Sequence, residues 1–259
     1  MYYSETDTIT QRKRRRSRIF WTILIGSLLF LSLLYFASKK PQVAKKMEAH
    51  KPVAPIEAVE VDIKEAEIPA DQVQNLIGHL QSAYDREFGA SVRYETWAEK
   101  AKKDGWNGVA ALFQSLAKSE KVQADRNAEA LKVLGAAPMA NVSVPEVGTV
   151  EEMLKKASES ETDIIGVFYP LIIEQVKKIP QATALVTMLQ GALASDVEHE
   201  KIFASIMKDP KAWNDEDRVI SVCSVCGHIE QGEPPHHCPV CGSPKEKFSR
   251  TPIAGTAKK

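Results

Sequence analysis

The chain has 259 residues, enough for one ordinary core with appendages, and its 34 Lys and Arg are matched by 34 Asp and Glu. That balance argues against nucleic acid as a partner, and neither a phosphate-binding loop nor a serine–histidine–acid order in a supporting context is present. The 4 cysteines lie together near the carboxyl end, and a dense basic run lies at the amino end.

Taken in order, residues 1–18 form a basic segment carrying Arg12, Lys13, Arg14, Arg15, Arg16 and Arg18. Residues 19–37 carry no charge and are rich in Leu, Ile and Phe, about the length that crosses a hydrocarbon core as a helix. With no Ala-x-Ala cleavage pattern after Ala37, this span predicts an uncleaved, single-pass transmembrane anchor. The basic cluster before it is denser than Lys39, Lys40, Lys45 and Lys46 after it. The expectation is an amino end in the cytoplasm of a bacterial inner membrane and a soluble body in the periplasm. Residues 38–70, with Pro41, Pro52, Pro55 and Pro69 and no sustained period, read as a linker that provides reach.

Beyond the linker the apolar residues recur in steps of three and four, which predicts helices. Asp71 is the expected cap of the first, whose stripe runs Leu76, Leu80, Tyr84, Tyr94, Trp97 and Ala101 and passes through Glu87. A turn at Asp104-Gly105 leads to Val109, Leu112, Phe113, Leu116, Leu131 and Leu134, with Glu120 and Gln123 on the same face. A long connection from Gly135 to Val150 follows. The third stripe, Met153, Leu154, Ala157, Ile164, Ile165, Phe168 and Ile172, contains Glu161, and Pro170 is expected to bend that helix without ending it. Pro180 opens the fourth, with Leu185, Leu189, Ala192, Asp196, His199, Phe203 and Ile206 on one face. An acid in the middle of each of four helical stripes is costly to bury unless cations are shared among them. Asp196 and His199, three residues apart, place a carboxylate and an imidazole on one face, as a dimetal site in a helix bundle requires.

The strongest local signal comes last. Cys223-Ser-Val-Cys226-Gly227 and Cys238-Pro-Val-Cys241-Gly242 are two knuckles that can aim four thiolates at one tetrahedral ion. Two disulfides or a structural zinc clip are the plainer alternatives, and spacing alone does not separate zinc from iron. Zinc would staple the domain, whereas iron would move single electrons. His228, His236 and His237 beside the cysteines are expected to face solvent, His79 to sit at the surface or end of the bundle, and Trp97, Trp106 and Trp213 to pack.

Tyr94, Ala101-Lys-Lys-Asp-Gly105, Glu120-Lys, Phe168-Tyr-Pro170, His199-Glu-Lys and the paired Cys-x-x-Cys, in this order, resemble the rubrerythrin family. The resemblance covers about residues 72–248. It implies a mainly α fold: a ferritin-like four-helix bundle over residues 71–210 and a rubredoxin-like metal domain over 218–250. It also implies a di-iron site that reduces peroxide or oxidises iron(II), fed by a four-cysteine iron, often across a homodimer interface. By position the bundle ligands and catalytic residues would be Glu87, Glu120, Glu161, Asp196 and His199. The other site would use Cys223, Cys226, Cys238 and Cys241.

Two departures stand out. The second helix of the family reads Glu-x-x-His, and here Glu120-Lys-Val-Gln123 puts an amide where the imidazole belongs. The family's further glutamate, three residues after the first in the third helix, is Ile164. These put the second iron in question and leave a rival, a tethered rubredoxin-type electron carrier on a bundle whose own metal site has decayed. In a periplasm NADH is absent, so the implied electron donor is a membrane or periplasmic redox protein.

Overall fold

The structure is a computed structural model and describes residues 68–143, 145–215 and 218–253. The expected anchor at 19–37 and the basic segment before it lie outside the described residues, as does nearly all of the linker. Among the described residues no helix is long and apolar enough to cross a membrane.

Helix α1 (Ala70–Lys103) and helix α2 (Asn107–Val133) pack along each other. Gly105, at φ +82°, takes the left-handed conformation that closes α1, and Trp106 N–H returns to Ala101 O at 2.9 Å. Asp71 does not cap α1: Pro69 holds the N-cap position and Asp71 lies in the first turn, where the helix dipole still favours its charge. The inner stripe of α1 also differs from expectation at one point. Tyr84 is half-buried, and Ala83 and Glu87 carry the buried face instead, because a straight helix drifts from a strict four-residue step. The amino end of α2 is capped from far away: Asn214 Oδ1 accepts from Gly108 N–H at 2.8 Å and Val109 N–H at 3.3 Å.

The connection after Gly135 is non-helical and is held against α1, with Trp97 Nε1 donating to Glu146 O at 2.9 Å. Helix α3 (Val150–Asp163) starts in a capping box between Thr149 and Glu152. It then widens into a π-helical turn, Ile164–Phe168, before helix α4 (Tyr169–Val176). Tyr169 N–H bonds Ile164 O, five residues back. Pro170 has no N–H, and its ring disfavours the regular ladder at that point. The chain passes through Pro170, and the extra residue of the wide turn exchanges two neighbours: Tyr169 is fully buried and Phe168 only half-buried, the reverse of the expected stripe.

A short 3₁₀ turn, Pro180–Ala182, leads into helix α5 (Thr183–Ile206), whose expected face is buried throughout. Helix α6 (Pro210–Asp215) connects to a small antiparallel sheet. Among the described residues that sheet has the order β2 (Ile229–Gln231), β1 (Arg218–Cys223), β3 (Phe248–Ile253), with Val222 opposite Ile229 and Cys223 opposite Phe248. Ile220, Val222 and Ile229 share one buried apolar group with Tyr94, Phe113 and Phe203, so the sheet is seated on the bundle through its own core residues.

Candidate metal centres

The cysteine centre is built from short-range geometry. Gly227 (φ +82°) and Gly242 (φ +70°) allow each knuckle to turn, and each donates its N–H back to the first cysteine of its pair, to Cys223 O and Cys238 O at 2.9 Å. All four sulfurs are buried, with Cys223 Sγ and Cys241 Sγ 3.6 Å apart and Cys226 Sγ and Cys238 Sγ also 3.6 Å apart. Four sulfurs about 2.3 Å from one ion would stand about 3.8 Å from each other, whereas a disulfide needs about 2.05 Å. The arrangement fits a single tetrahedral ion and excludes the disulfide alternative. Hydrogen bonding among the thiols pushes Cys223 and Cys241 down and Cys226 and Cys238 up. His228 corrects the expectation for its position: it is 3% exposed, with its ring edge-on to Phe248 and Nε2 3.3 Å from Glu230 Oε2. The pairing of β1 with β3 sets Phe248 opposite Cys223 and so brings the Phe248 ring beside His228. His236 and His237 are exposed, and His79 is half-buried.

The second centre draws on four helices. Glu120 of α2, Glu161 of α3, and Asp196 and His199 of α5 bring one ligand atom each within 4.8 Å of one another, and all are buried. His199 Nδ1 stands 3.4 Å from Glu120 Oε1, 3.6 Å from Asp196 Oδ1 and 3.8 Å from Glu161 Oε1. Glu87 of α1 lies outside this tightest group but against Glu120, and Tyr169 O–H donates to its Oε1. Tyr94 O–H donates to Glu161 Oε1 at 2.7 Å.

Electrostatics show why the group needs a cation. Burial pushes Glu87 up, and it pushes Glu120 and Asp196 well above the usual carboxylate range, with neighbouring acids adding to the shift. Burial would lower His199, but the contact with Glu161 and the charges of Glu161 and Asp196 outweigh it and the net direction is up. Glu87 Oε2, both Glu120 oxygens, Glu161 Oε2, Asp196 Oδ2 and His199 Nδ1 have no hydrogen-bond partner. Orphaned buried acceptors cost free energy unless a positive charge meets them. Donors about 2.1 Å from one ion lie about 3–4 Å apart, the range seen here. Four carboxylates also match the charge of two divalent cations, so these residues fit metal.

The two unusual positions behave differently from each other. Gln123 is 2% exposed and its Nε2 donates to Asp196 Oδ1 at 3.1 Å, so it serves as a donor to the centre. Ile164, 1% exposed, opens the π turn and offers no ligand atom. Sequence reasoning passed over Ser119, which lies between the centres: its Oγ is 2.9 Å from His199 Nε2 and it bonds Gly227 O. Its adjacency to Glu120 was the available signal. Glu200, next to His199, was also passed over; burial pushes it up to about 7.

Comparison with known proteins bears on the two domains and the fold. Residues 77–212 match the ferritin-like domain family, and residues 222–249 match the rubrerythrin, rubredoxin-like domain. The chain is 28% identical over 176 residues to rubrerythrin-2 of Clostridium acetobutylicum, covering 65% of this chain and 92% of that protein. It is 25% identical over 182 residues to nigerythrin of Nitratidesulfovibrio vulgaris, covering 68% and 87%. Among solved structures, fully reduced, all-ferrous nigerythrin superposes with a TM-score of 0.64 at 20% identity, covering 78% of this chain and 98% of that one. A bacterioferritin of Desulfovibrio desulfuricans superposes with a TM-score of 0.51 at 20% identity, covering 56% and 85%. At those identities the structural likeness speaks for fold alone.

Proposed function

We propose that this chain, which belongs to the ferritin-like domain family, is a rubrerythrin-type, membrane-tethered non-haem iron oxidoreductase that reduces peroxide at a di-iron carboxylate centre. The observation that carries the reading is the buried convergence of Glu120, Glu161, Asp196 and His199 in a chain that also holds four cysteines around one point. Nigerythrin, 25% identical to this chain in sequence, takes a fully reduced, all-ferrous state, which supports iron as the metal here. Glu87, Glu120, Glu161, Asp196 and His199 would hold the bundle ions, and Cys223, Cys226, Cys238 and Cys241 the other. When bound, iron in the bundle supplies two electrons to an O–O bond and iron in the cysteines supplies electrons singly.

The protein's own groups complete the balance. Reducing one hydrogen peroxide to two waters consumes two electrons and two protons. Burial pushes Glu87, Glu120 and Asp196 upward, so an acid of this set not engaged by a cation is the group that would supply a proton. Tyr169 and Tyr94 fix one oxygen each of Glu87 and Glu161, which keeps the remaining oxygens aimed inward. Full burial excludes bulk water from the site. Oxidation of iron(II) by the same centre is part of this proposal.

The tether rests on the sequence, where residues 12–18 are basic and 19–37 uncharged. It would hold the body at a bacterial inner membrane on the periplasmic side, with a membrane or periplasmic redox protein as electron donor and a second copy of the chain as a partner. Gln123 and Ile164 favour a second reading, a tethered rubredoxin-type electron carrier, because neither adds a ligand. Iron content and absorption of the full-length chain, followed by anaerobic mixing with peroxide, separate the two. About three irons per chain and peroxide-dependent reoxidation of the cysteine site support the peroxidase. About one iron and no turnover move the assignment to the carrier.

A further inference from the structure

We propose that Ser119 couples the two centres, so that an ion held by the four cysteines tightens cation binding in the bundle. This rests on reading the bundle group as a metal site, and it adds a positioning role for a residue outside both ligand sets.

A count of hydrogens leads to it. Ser119 is fully buried on α2, one residue before Glu120, with Oγ 2.9 Å from His199 Nε2 and hydrogen-bonded to Gly227 O. A carbonyl only accepts, so the single hydroxyl hydrogen of Ser119 goes to Gly227. Its oxygen is left to accept from His199, whose ring hydrogen therefore sits on Nε2. Nδ1 is then a bare lone pair facing Glu120, Asp196 and Glu161 at 3.4, 3.6 and 3.8 Å. That is the form a cation requires, and the partner of the far nitrogen is what sets it.

The acceptor that decides the tautomer belongs to the cysteine knuckle. Gly227 follows Cys226 and approaches α2 so closely that a Cβ on it would lie 2.7 Å from Ser119 O, 3.1 Å from Gln123 Cγ and 3.2 Å from Ser119 Oγ. Metal binding by such knuckles is folding energy, so the ion holds Gly227 O in place. Without the ion the knuckle loosens and the carbonyl withdraws. The freed hydroxyl then donates to His199 Nε2, the ring hydrogen moves to Nδ1, and the surrounding carboxylates accept it. The proton count is unchanged, but the imidazole is closed to metal.

Manganese(II) is the probe, since it favours carboxylate over thiolate and so reports the bundle alone. It is titrated into the full-length chain carrying one zinc in the cysteine site, and binding is followed by electron paramagnetic resonance. S119A is expected to weaken binding about 10–100-fold, and S119T, which keeps the hydroxyl, to bind like the parent. C226S without zinc is expected to match S119A, and the double variant to be no weaker than either single one. Parental affinity in S119A, a loss in a folded S119T equal to that in S119A, or losses that multiply in the double variant would overturn the coupling alone. Absence of manganese binding in the parent chain would overturn the metal reading of the bundle and the coupling with it. Should S119A not fold, parental affinity in C226S overturns the proposal and weakened affinity supports it.

Discussion

The cysteine centre and the bundle centre are built on opposite scales of the chain. Cys223, Cys226, Cys238 and Cys241 lie within one small domain and are aimed by two left-handed glycines and backbone hydrogen bonds a few residues long. The bundle ligands run from Glu87 to His199 on α1, α2, α3 and α5, and only the packing of those helices brings them together. The cysteine centre gathers ligands that are soft and close together in the chain. The bundle gathers buried acids that repel one another and lack partners. One site is stable as a local shape; the other is a stored electrostatic cost that cations relieve.

Removing a ligand from each should expose that contrast most strongly. In C226S the ion should leave the cysteine site and its thiolate absorption should vanish, while helical circular dichroism persists. E120Q should lose bundle metal by a factor of 100 or more, by order of magnitude, yet the metal-free chain should become about 1–2 kcal/mol more stable at pH 8. The sign follows from the raised carboxyl: the folded state keeps a proton that the unfolded chain has lost, so stability falls as pH rises from the unfolded value of 4.5 toward the folded one. Thermal melts with and without chelator across pH 5–9 check it, and a less stable metal-free E120Q at pH 8 would contradict the stored cost.

Gln123 sharpens the comparison by moving the bundle toward a richer donor set. Q123H replaces an amide that donates to Asp196 with an imidazole and should tighten bundle metal about 10-fold, with the cysteine absorption unchanged. Calorimetric titration measures this. A smaller effect belongs to Y169F, which strips the hydroxyl from Glu87 and should lower stability by about 1–2 kcal/mol in urea melts.

The smallest expected effect lies at the edge of the bundle centre. Glu200 accepts from Ser158 Oγ at 3.1 Å, and burial pushes it up to about 7. An acid raised in this way contributes stability that is present below about pH 4.5 and is lost as pH rises through about 7. E200Q should therefore raise the melting temperature slightly at pH 8 and leave it unchanged at pH 4.5; equal shifts at both would break the assignment.

Local chemistry in the sequence determined much of this protein. The Cys-x-x-Cys-Gly pairs announce a tetrahedral site because a knuckle needs only five residues, the last of them a glycine. The three-and-four spacing of Leu76, Leu112, Met153, Leu189 and their neighbours announces the helices because one buried face repeats every turn. Even the acids in those stripes were visible as chemically costly residues. Tertiary structure alone decided what happens between distant segments. Tyr169 rather than Phe168 turns inward because a π turn adds a residue before Pro170, and His228 is buried beside Phe248, which strand pairing brings next to it. Asn214 caps a helix that begins at Asn107, and Ser119 meets Gly227 across the seam between bundle and knuckle. No periodicity encodes such meetings, because each depends on the close packing of side chains far apart in the chain.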